Sequence, residues 1–192
     1  MPRPLPTSIL LFLLFGLAVL NISVYQRIYT PHTLEITVRE AGKGRVVLIR
    51  QPSGVVALIN TGSDASIVRI LGNALPPWKR TVEMVVLTAA NTATLGGLPE
   101  LIGRYHISNL IRFGTLGSLS MEKALSVAES ASRIPRPLTE PYGTDLILDR
   151  THLSVVSADR ATISYGSTFI TISSTTPAGK YTLDGATTTY LK

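Results

Sequence analysis

The 192-residue sequence predicts a layered α/β (α+β) domain carried behind one N-terminal transmembrane helix. Three observations carry that prediction. An uncharged apolar run lies near the N-terminus. Three closely spaced strand-like runs are then followed by strand–helix alternation, and a serine- and threonine-rich closing third returns to strands. Hydrophobic residues make up 45% of the chain, high for a soluble domain, and cysteine is absent. Without cysteine there is neither a disulfide framework nor a thiolate metal site. The formal net charge is +6 with no lysine or arginine run. That balance describes a mildly basic, solvated surface rather than a nucleic-acid or lipid-binding face.

The apolar run is SILLFLLFGLAVLNISVY, Ser8 to Tyr25, whose 18 residues contain no charge. It is just long enough to span the hydrocarbon core. An uncleaved signal-anchor over residues 1–27 is favoured over a cleaved signal peptide, because Asn21-Ile22-Ser23-Val24 follows the core where a small-x-small site would stand. Charge leaves the orientation open. Arg27, Arg39, Lys43 and Arg45 after the run favour a cytoplasmic domain, whereas the short tail carrying Arg3 is that of an export signal.

Residues 28–33, with Pro31, read as a linker. LEITVR (34–39) alternates apolar and polar residues and predicts a strand, and VVLIR (46–50) a second. The turn QPSG (51–54) leads into VVALI (55–59), an apolar run typical of a strand buried on both faces. Asp64 or Ser63 caps a predicted helix to about Leu75, with Ala65, Val68, Leu71 and Leu75 on one face. PPWKR (76–80) ends it, and MVVLT (84–88) is the fourth strand. Gly96-Gly97 opens a short helix, PELIGRYH, before strand NLIRF (109–113). A third helix is predicted over 118–134. DLILD, HLSVVSA, ATISY and STFITISS then read as strands, and the threonine-rich tail 175–192 as either a hairpin or a loose end.

Three stretches together resemble a known family. LEITVREAGKGRVVLIRQPSGVVALINTGSDAS (34–66) is similar to the opening of the metallo-β-lactamase-like domain of ComEC-type competence proteins, which runs strand, D-V-G-Q-G-D, strand, P-S-G turn, strand, I-D-T-G. VEMVVLTAANTATLGGLPELIGRY (82–105) resembles the stretch that carries L-T-H-x-H-x-D-H-x-G-G-L. ISYGSTFITISS (163–174) resembles the later strand pair that ends in T-G-D. The resemblance covers residues 34–174. It implies a partial metallo-β-lactamase-like αβ/βα sandwich, a domain outside the cytoplasmic membrane and an association with DNA uptake; the single-pass anchor is read from the apolar run.

The working residues of that family are absent here. Its paired histidines fall on Ala89 and Asn91, its next aspartate on Ala93 and the following histidine on Thr94. The I-D-T-G aspartate falls on Asn60, the last D-V-G-Q-G-D aspartate on Arg45, and the T-G-D aspartate on Ser174. The family would use zinc or manganese, and zinc needs imidazole, thiolate or carboxylate donors. Alanine offers no donor, asparagine and threonine are weak neutral ones, and Arg45 repels a dication. The expectation is therefore no metal, no cofactor and no catalytic residue. Without a metal no bound water is brought to a pKa near neutrality.

His32, His106 and His152 lie far apart and do not rebuild a site. Thr61, Ser63, Asp64 and Ser66 have no base placed beside them and read as a glycine turn leading into a helix cap. Lys43 and Arg45, between glycines, are candidates for holding an anion, although GKG lacks the ending of a P-loop. Aromatic residues are 6% of the chain, and the pairs Arg104-Tyr105 and Arg112-Phe113 are isolated, so a stacking platform for single strands is not written.

The chain ends 18 residues after Ser174, short of the family's later half. The exposed edge is expected to be covered by the tail, by a protein partner or by a second copy in a homodimer. The leading expectation is a membrane-anchored scaffold or binding module without hydrolytic activity. The alternatives are a metal-dependent hydrolase or phosphodiesterase with a relocated or partner-supplied site, and a nucleic-acid-binding protein at the membrane surface.

Overall fold

The structure, a computed structural model, describes residues 7–29, 33–114, 126 and 138–191. The chain divides into two units, Met1–His32 and Thr33–Lys192. The first contains helix α1, Thr7–Tyr29, of 23 residues. Its described large side chains, among them Phe12, Phe15 and Leu20, are exposed. Among the described residues no helix is long and apolar enough to cross a membrane.

The second unit is a mixed α/β domain with three layers. Strands β1 (Leu34–Ala41), β2 (Gly44–Arg50) and β3 (Val56–Ile59) form an antiparallel meander. Helix α2 (Ser66–Ala74) then crosses to β5 (Met84–Leu87), parallel to β3, after the two-residue strand β4 (Thr81–Val82). Helices α3 (Thr92–Leu95) and α4 (Leu98–Arg104) lead through β6 (His106–Ile107) to β7 (Leu110–Phe113), parallel to β5. Strand β8 (Leu138–Glu140) pairs parallel to β7. The second sheet is an antiparallel meander of β9 (Asp145–Leu148), β10 (Thr151–Ser157), β11 (Arg160–Tyr165) and β12 (Thr168–Ser173). The chain returns to the first sheet through β13 (Gly179–Leu183), antiparallel to β1, and β14 (Thr188–Leu191). The main sheet therefore runs β14-β13-β1-β2-β3-β5-β7-β8, with β4 and β6 as a separate small pair.

The unbroken apolar runs follow from this layering, because the main sheet is covered on both faces. Successive side chains of a strand point to opposite faces. Val46 and Leu48 accordingly join Ile67, Leu71 and Leu101 of the helical layer, whereas Val47 and Ile49 pack with Leu153, Val155 and Ile163 of the second sheet. Phe113 is fully buried in this inter-sheet core, stacked 6.0 Å from Tyr142.

Several elements differ from the sequence expectation. Helix α2 begins at Ser66, with Ala65 at the cap position and no side-chain cap. Asp64 instead bends the entry by accepting the Ser66 N–H at 3.0 Å. The buried face is therefore Ile67, Leu71 and Leu75, while Ala65 is exposed and Val68 half-buried. Each helical residue turns about 100°, so a shift of one position changes the face. The tail 175–192 supplies a hairpin that extends the main sheet past β1. The helix expected over 118–134 lies outside the described residues, apart from Ser126.

A three-strand ion cluster secures β13 to the meander. Glu35 Oε2 accepts from Arg50 at 2.5 Å and from Lys180 at 2.9 Å. Burial pushes the Glu35 carboxyl up, but the hydrogen bonds from Lys180 and Arg50, with their charges, outweigh it and hold the pKa below its ordinary value. A depressed folded pKa means stability that is present above the unfolded value, near 4.5, and lost as pH falls through the folded one. Glu35→Gln is expected to lower unfolding free energy at pH 7 by up to about 1 kcal/mol, solvent screening keeping it modest. The difference from the unsubstituted protein should vanish in urea titrations at strongly acidic pH.

Candidate functional site

The cleft arises where several chain reversals meet at one end of the two sheets. Parallel strands β3 and β5 end at Ile59 and Leu87, so Asn60 and Thr88 leave the sheet side by side. Open α/β sheets place ligands at such carboxyl ends. The β1–β2 turn, the β10–β11 turn and the end of β12 enclose the same space, a cleft of about 570 Å³. Lys43, Arg45 and Asn60 line it from the first sheet. Asn91, Ala93 and Thr94 line it from the loop after β5, and Ser174 from the end of the second sheet. Ala89 is not among the lining residues; its carbonyl instead accepts from the Thr94 hydroxyl.

Close backbone approach fixes the cleft wall. A Cβ on Gly44 would meet the Ala93 carbonyl oxygen at 1.9 Å, so the β2 start and the α3 loop touch through bare backbone. Asn60 has φ +61°, a left-handed conformation that asparagine tolerates better than most residues. Its Oδ1 accepts the Thr88 N–H at 2.9 Å, and the Thr88 hydroxyl donates to the Ala158 carbonyl at 2.7 Å. The chain Asn60–Thr88–Ala158 thus ties the first sheet to the β10–β11 turn.

The loop Leu87 to Gly97 is braced internally. Asn91 Oδ1 accepts the Thr94 N–H at 3.1 Å, and the Thr94 hydroxyl reaches back to the Asn91 N–H, forming a reciprocal cap on the one-turn helix α3. The Thr94 carbonyl in turn accepts from the Thr61 hydroxyl at 2.9 Å and the Thr61 N–H at 2.8 Å. Arg45 crosses between the sheets: its Nη1 donates to the Ser173 carbonyl at 3.2 Å and to the Thr176 carbonyl. Its Nη2 lies 4.0 Å from Glu40 Oε1.

This donor set does not fit a zinc or manganese site. Among the described residues no group of three or more histidine, cysteine, aspartate or glutamate side chains could hold a metal ion. The acceptor atoms of Asn60 and Asn91 are already engaged, and a guanidinium stands in the same cleft. His106 and His152 do not line the cleft; His152 Nδ1 lies 3.1 Å from Asp145 Oδ2 on an exposed strand. His32 lies outside the described residues. Ser63 and Asp64 serve the backbone, Ser63 Oγ accepting the Lys43 N–H at 2.8 Å.

Sequence reasoning missed Arg160, Asp159, Glu40 and Thr88 as parts of the site. Arg160 and Asp159 sit at a hairpin tip whose place over the first sheet is a tertiary fact with no local signature. Thr88 is legible in the sequence only as the last residue of a strand, and Glu40 only as the residue after the predicted strand 34–39, at the first position of the D-V-G-Q-G-D frame.

Neither a family model nor a curated protein matches the chain. Among solved structures it is similar to the metallo-β-lactamase fold protein YhfI from Bacillus subtilis, with 12% identity over 82% of this chain and 61% of that one, at a TM-score of 0.47. It is similar to MEM-A1, a subclass B3 metallo-β-lactamase from a soil metagenome library, with 14% identity over 74% and 59%, at 0.47. It is also similar to a diphosphatase from the PhnP family, with 11% identity over 70% and 63%, at 0.41. The chain spans about 60% of the length of these structures. At such identities the likeness concerns the fold and not the chemistry.

Proposed function

We propose that this protein is a metal-free binding module built on a metallo-β-lactamase-like scaffold, without hydrolytic activity of its own. The observation that carries this reading is Arg45. Its guanidinium stands in the cleft where the family motif has a carboxylate, and it is tied to two backbone carbonyls across the sheets. A fixed cation there opposes a dication, and no water is activated for attack. Two further features belong to the same reading: anchoring in the cytoplasmic membrane through Ser8–Tyr25, with the domain on the outer side, and a setting in DNA uptake. Both draw on the apolar run and on the ComEC-type resemblance. The proposal extends to a partner or second copy over the outer face of the second sheet; exposed Ile147 and Phe169, in the continuous cross-strand row Ile147, His152, Ser164, Phe169, support it.

The test is hydrolysis of a phosphodiester reporter by the purified full chain, with zinc or manganese added and with a chelator. No activity above background is expected in any arm. Chelator-sensitive cleavage at stoichiometric metal would establish the hydrolase alternative instead.

A further inference from the structure

We infer that the cleft binds a small phosphate monoester, such as a sugar phosphate, directly through Lys43, Arg160 and the side-chain amides of Asn60 and Asn91. This inference rests on the metal-free reading and adds a ligand class to it. Its basis is an asymmetry in the hydrogen bonding. The acceptor atoms of Asn60 and Asn91 are turned inward, Asn60 Oδ1 to the Thr88 N–H and Asn91 Oδ1 to the Thr94 N–H. Each Nδ2 is left without a protein partner among the described residues, and both residues line the cleft. Lys43 and Arg160 line it too, and among the described residues neither ammonium nor guanidinium has an ion-pair partner. The cleft is therefore rich in unused donors, the complement of an oxyanion.

Charge points the same way. Among the described residues the carboxylates of the lining are Glu40, near Arg45, and Asp159, which accepts from the Ser157 hydroxyl at 2.8 Å. Three described cations thus face two described anions, and Arg45 holds its positive charge in place on the Ser173 and Thr176 carbonyls. Size and lining decide the organic part. A cleft of about 570 Å³ lies within the range of small-molecule sites and exceeds what a bare phosphate fills. Among the described residues no aromatic ring lines it, so a nucleobase has no described ring to stack on. A polyol bearing a phosphate suits the remaining neutral donors, and a single-stranded nucleic acid does not.

The experiment is isothermal titration of the full chain, purified in detergent and treated with a chelator, with metal content measured on the same samples. The probes are glucose 6-phosphate, glucose, inorganic phosphate and a short single-stranded oligodeoxynucleotide. Glucose 6-phosphate is expected to bind one to one, more tightly than inorganic phosphate, and glucose not to bind. The double variant Lys43→Ala/Arg160→Ala, at two exposed positions, should weaken binding by about tenfold or more through lost charge-assisted contacts. Glu40→Gln should tighten it, since a competing carboxylate is removed. Arg104→Ala, which removes one positive charge on α4 away from the cleft lining, should leave it unchanged.

Absence of glucose 6-phosphate binding, or equal affinity in the double variant, would overturn the inference. So would inorganic phosphate binding as tightly as the ester, or an oligodeoxynucleotide binding more tightly through the same two residues. A metal-free protein that binds nothing sinks this inference and leaves the metal-free reading standing. Stoichiometric metal with binding lost on chelation sinks that reading itself.

Discussion

Gly44→Ala is expected to destabilise the domain by about 3 kcal/mol, the upper range for overpacking against atoms that cannot move aside. The added Cβ would stand 1.9 Å from the Ala93 carbonyl oxygen, 2.9 Å from the Ala93 carbonyl carbon and 3.0 Å from Gly62 Cα. All three are backbone atoms, so no side-chain rotation relieves the overlap. Relief requires the α3 loop to move away from β2. That movement strains the Asn91–Thr94 cap and the two hydrogen bonds from Thr61 to the Thr94 carbonyl. Urea unfolding should show a lower midpoint at unchanged slope. A change of less than about 0.5 kcal/mol, the range of ordinary surface substitutions, would mean that the loops do not touch as described.

Arg45→Met is expected to cost about 2 kcal/mol of stability. Methionine keeps much of the stem but removes the charged donor to the Thr176 carbonyl and one of two donors to the Ser173 carbonyl, which keeps the Thr176 N–H at 3.1 Å, and hydrogen bonds to charged groups contribute about 1.5–3 kcal/mol. The side chain is 27% exposed, so water replaces part of what is lost. Arg45→Lys should recover only a fraction, because one ammonium on a flexible stem does not match the planar fork that spans the sheets. If Arg45→Met unfolds like the unsubstituted protein, the guanidinium is not a cross-tie between the sheets, and its place in the cleft needs another reason.

Much of the layered architecture was legible because burial on both faces leaves a strong local trace. The short apolar runs VVLI and VVALI, joined by the QPSG turn, suit adjacent strands of a sheet covered on both faces. The late strands were legible from alternation, as in HLSVVS, where Leu153 and Val155 are buried and His152 is exposed. Pairing over long sequence separation was not. Nothing in GKYTL announces that it hydrogen-bonds to LEITV at the other end of the domain, because antiparallel register is set by tertiary packing. Short elements also escaped. Helix α3 is one turn long, held by the reciprocal Asn91–Thr94 cap, and four residues carry no periodicity to detect.

The candidate site divides along the same line. Arg45, Asn60, Asn91, Ala93, Thr94 and Ser174, positions of a motif frame, line one cleft together with Lys43, singled out between glycines, whereas Ala89 of the same frame does not line it. Arg160 could not be found that way, because its position depends on how the β10–β11 turn folds over the first sheet. The frame also concealed what these residues do. Asn91 and Thr94, read only as poor ligands, are mutual caps of the loop, and Asn60 is the brace that positions Thr88. Gly44, which the family frame also carries, is explained by the bare-backbone contact with Ala93 rather than by any ligand.

Metal content separates a metal-free module from a metallo-hydrolase. The full chain, expressed with zinc and manganese supplied and dialysed against metal-free buffer, should carry neither ion in stoichiometric amount by mass spectrometry, and added zinc should produce no saturable heat in a titration. Stoichiometric metal that survives dialysis, or tight saturable zinc binding lost on replacement of Asn60 and Asn91, would contradict the metal-free reading.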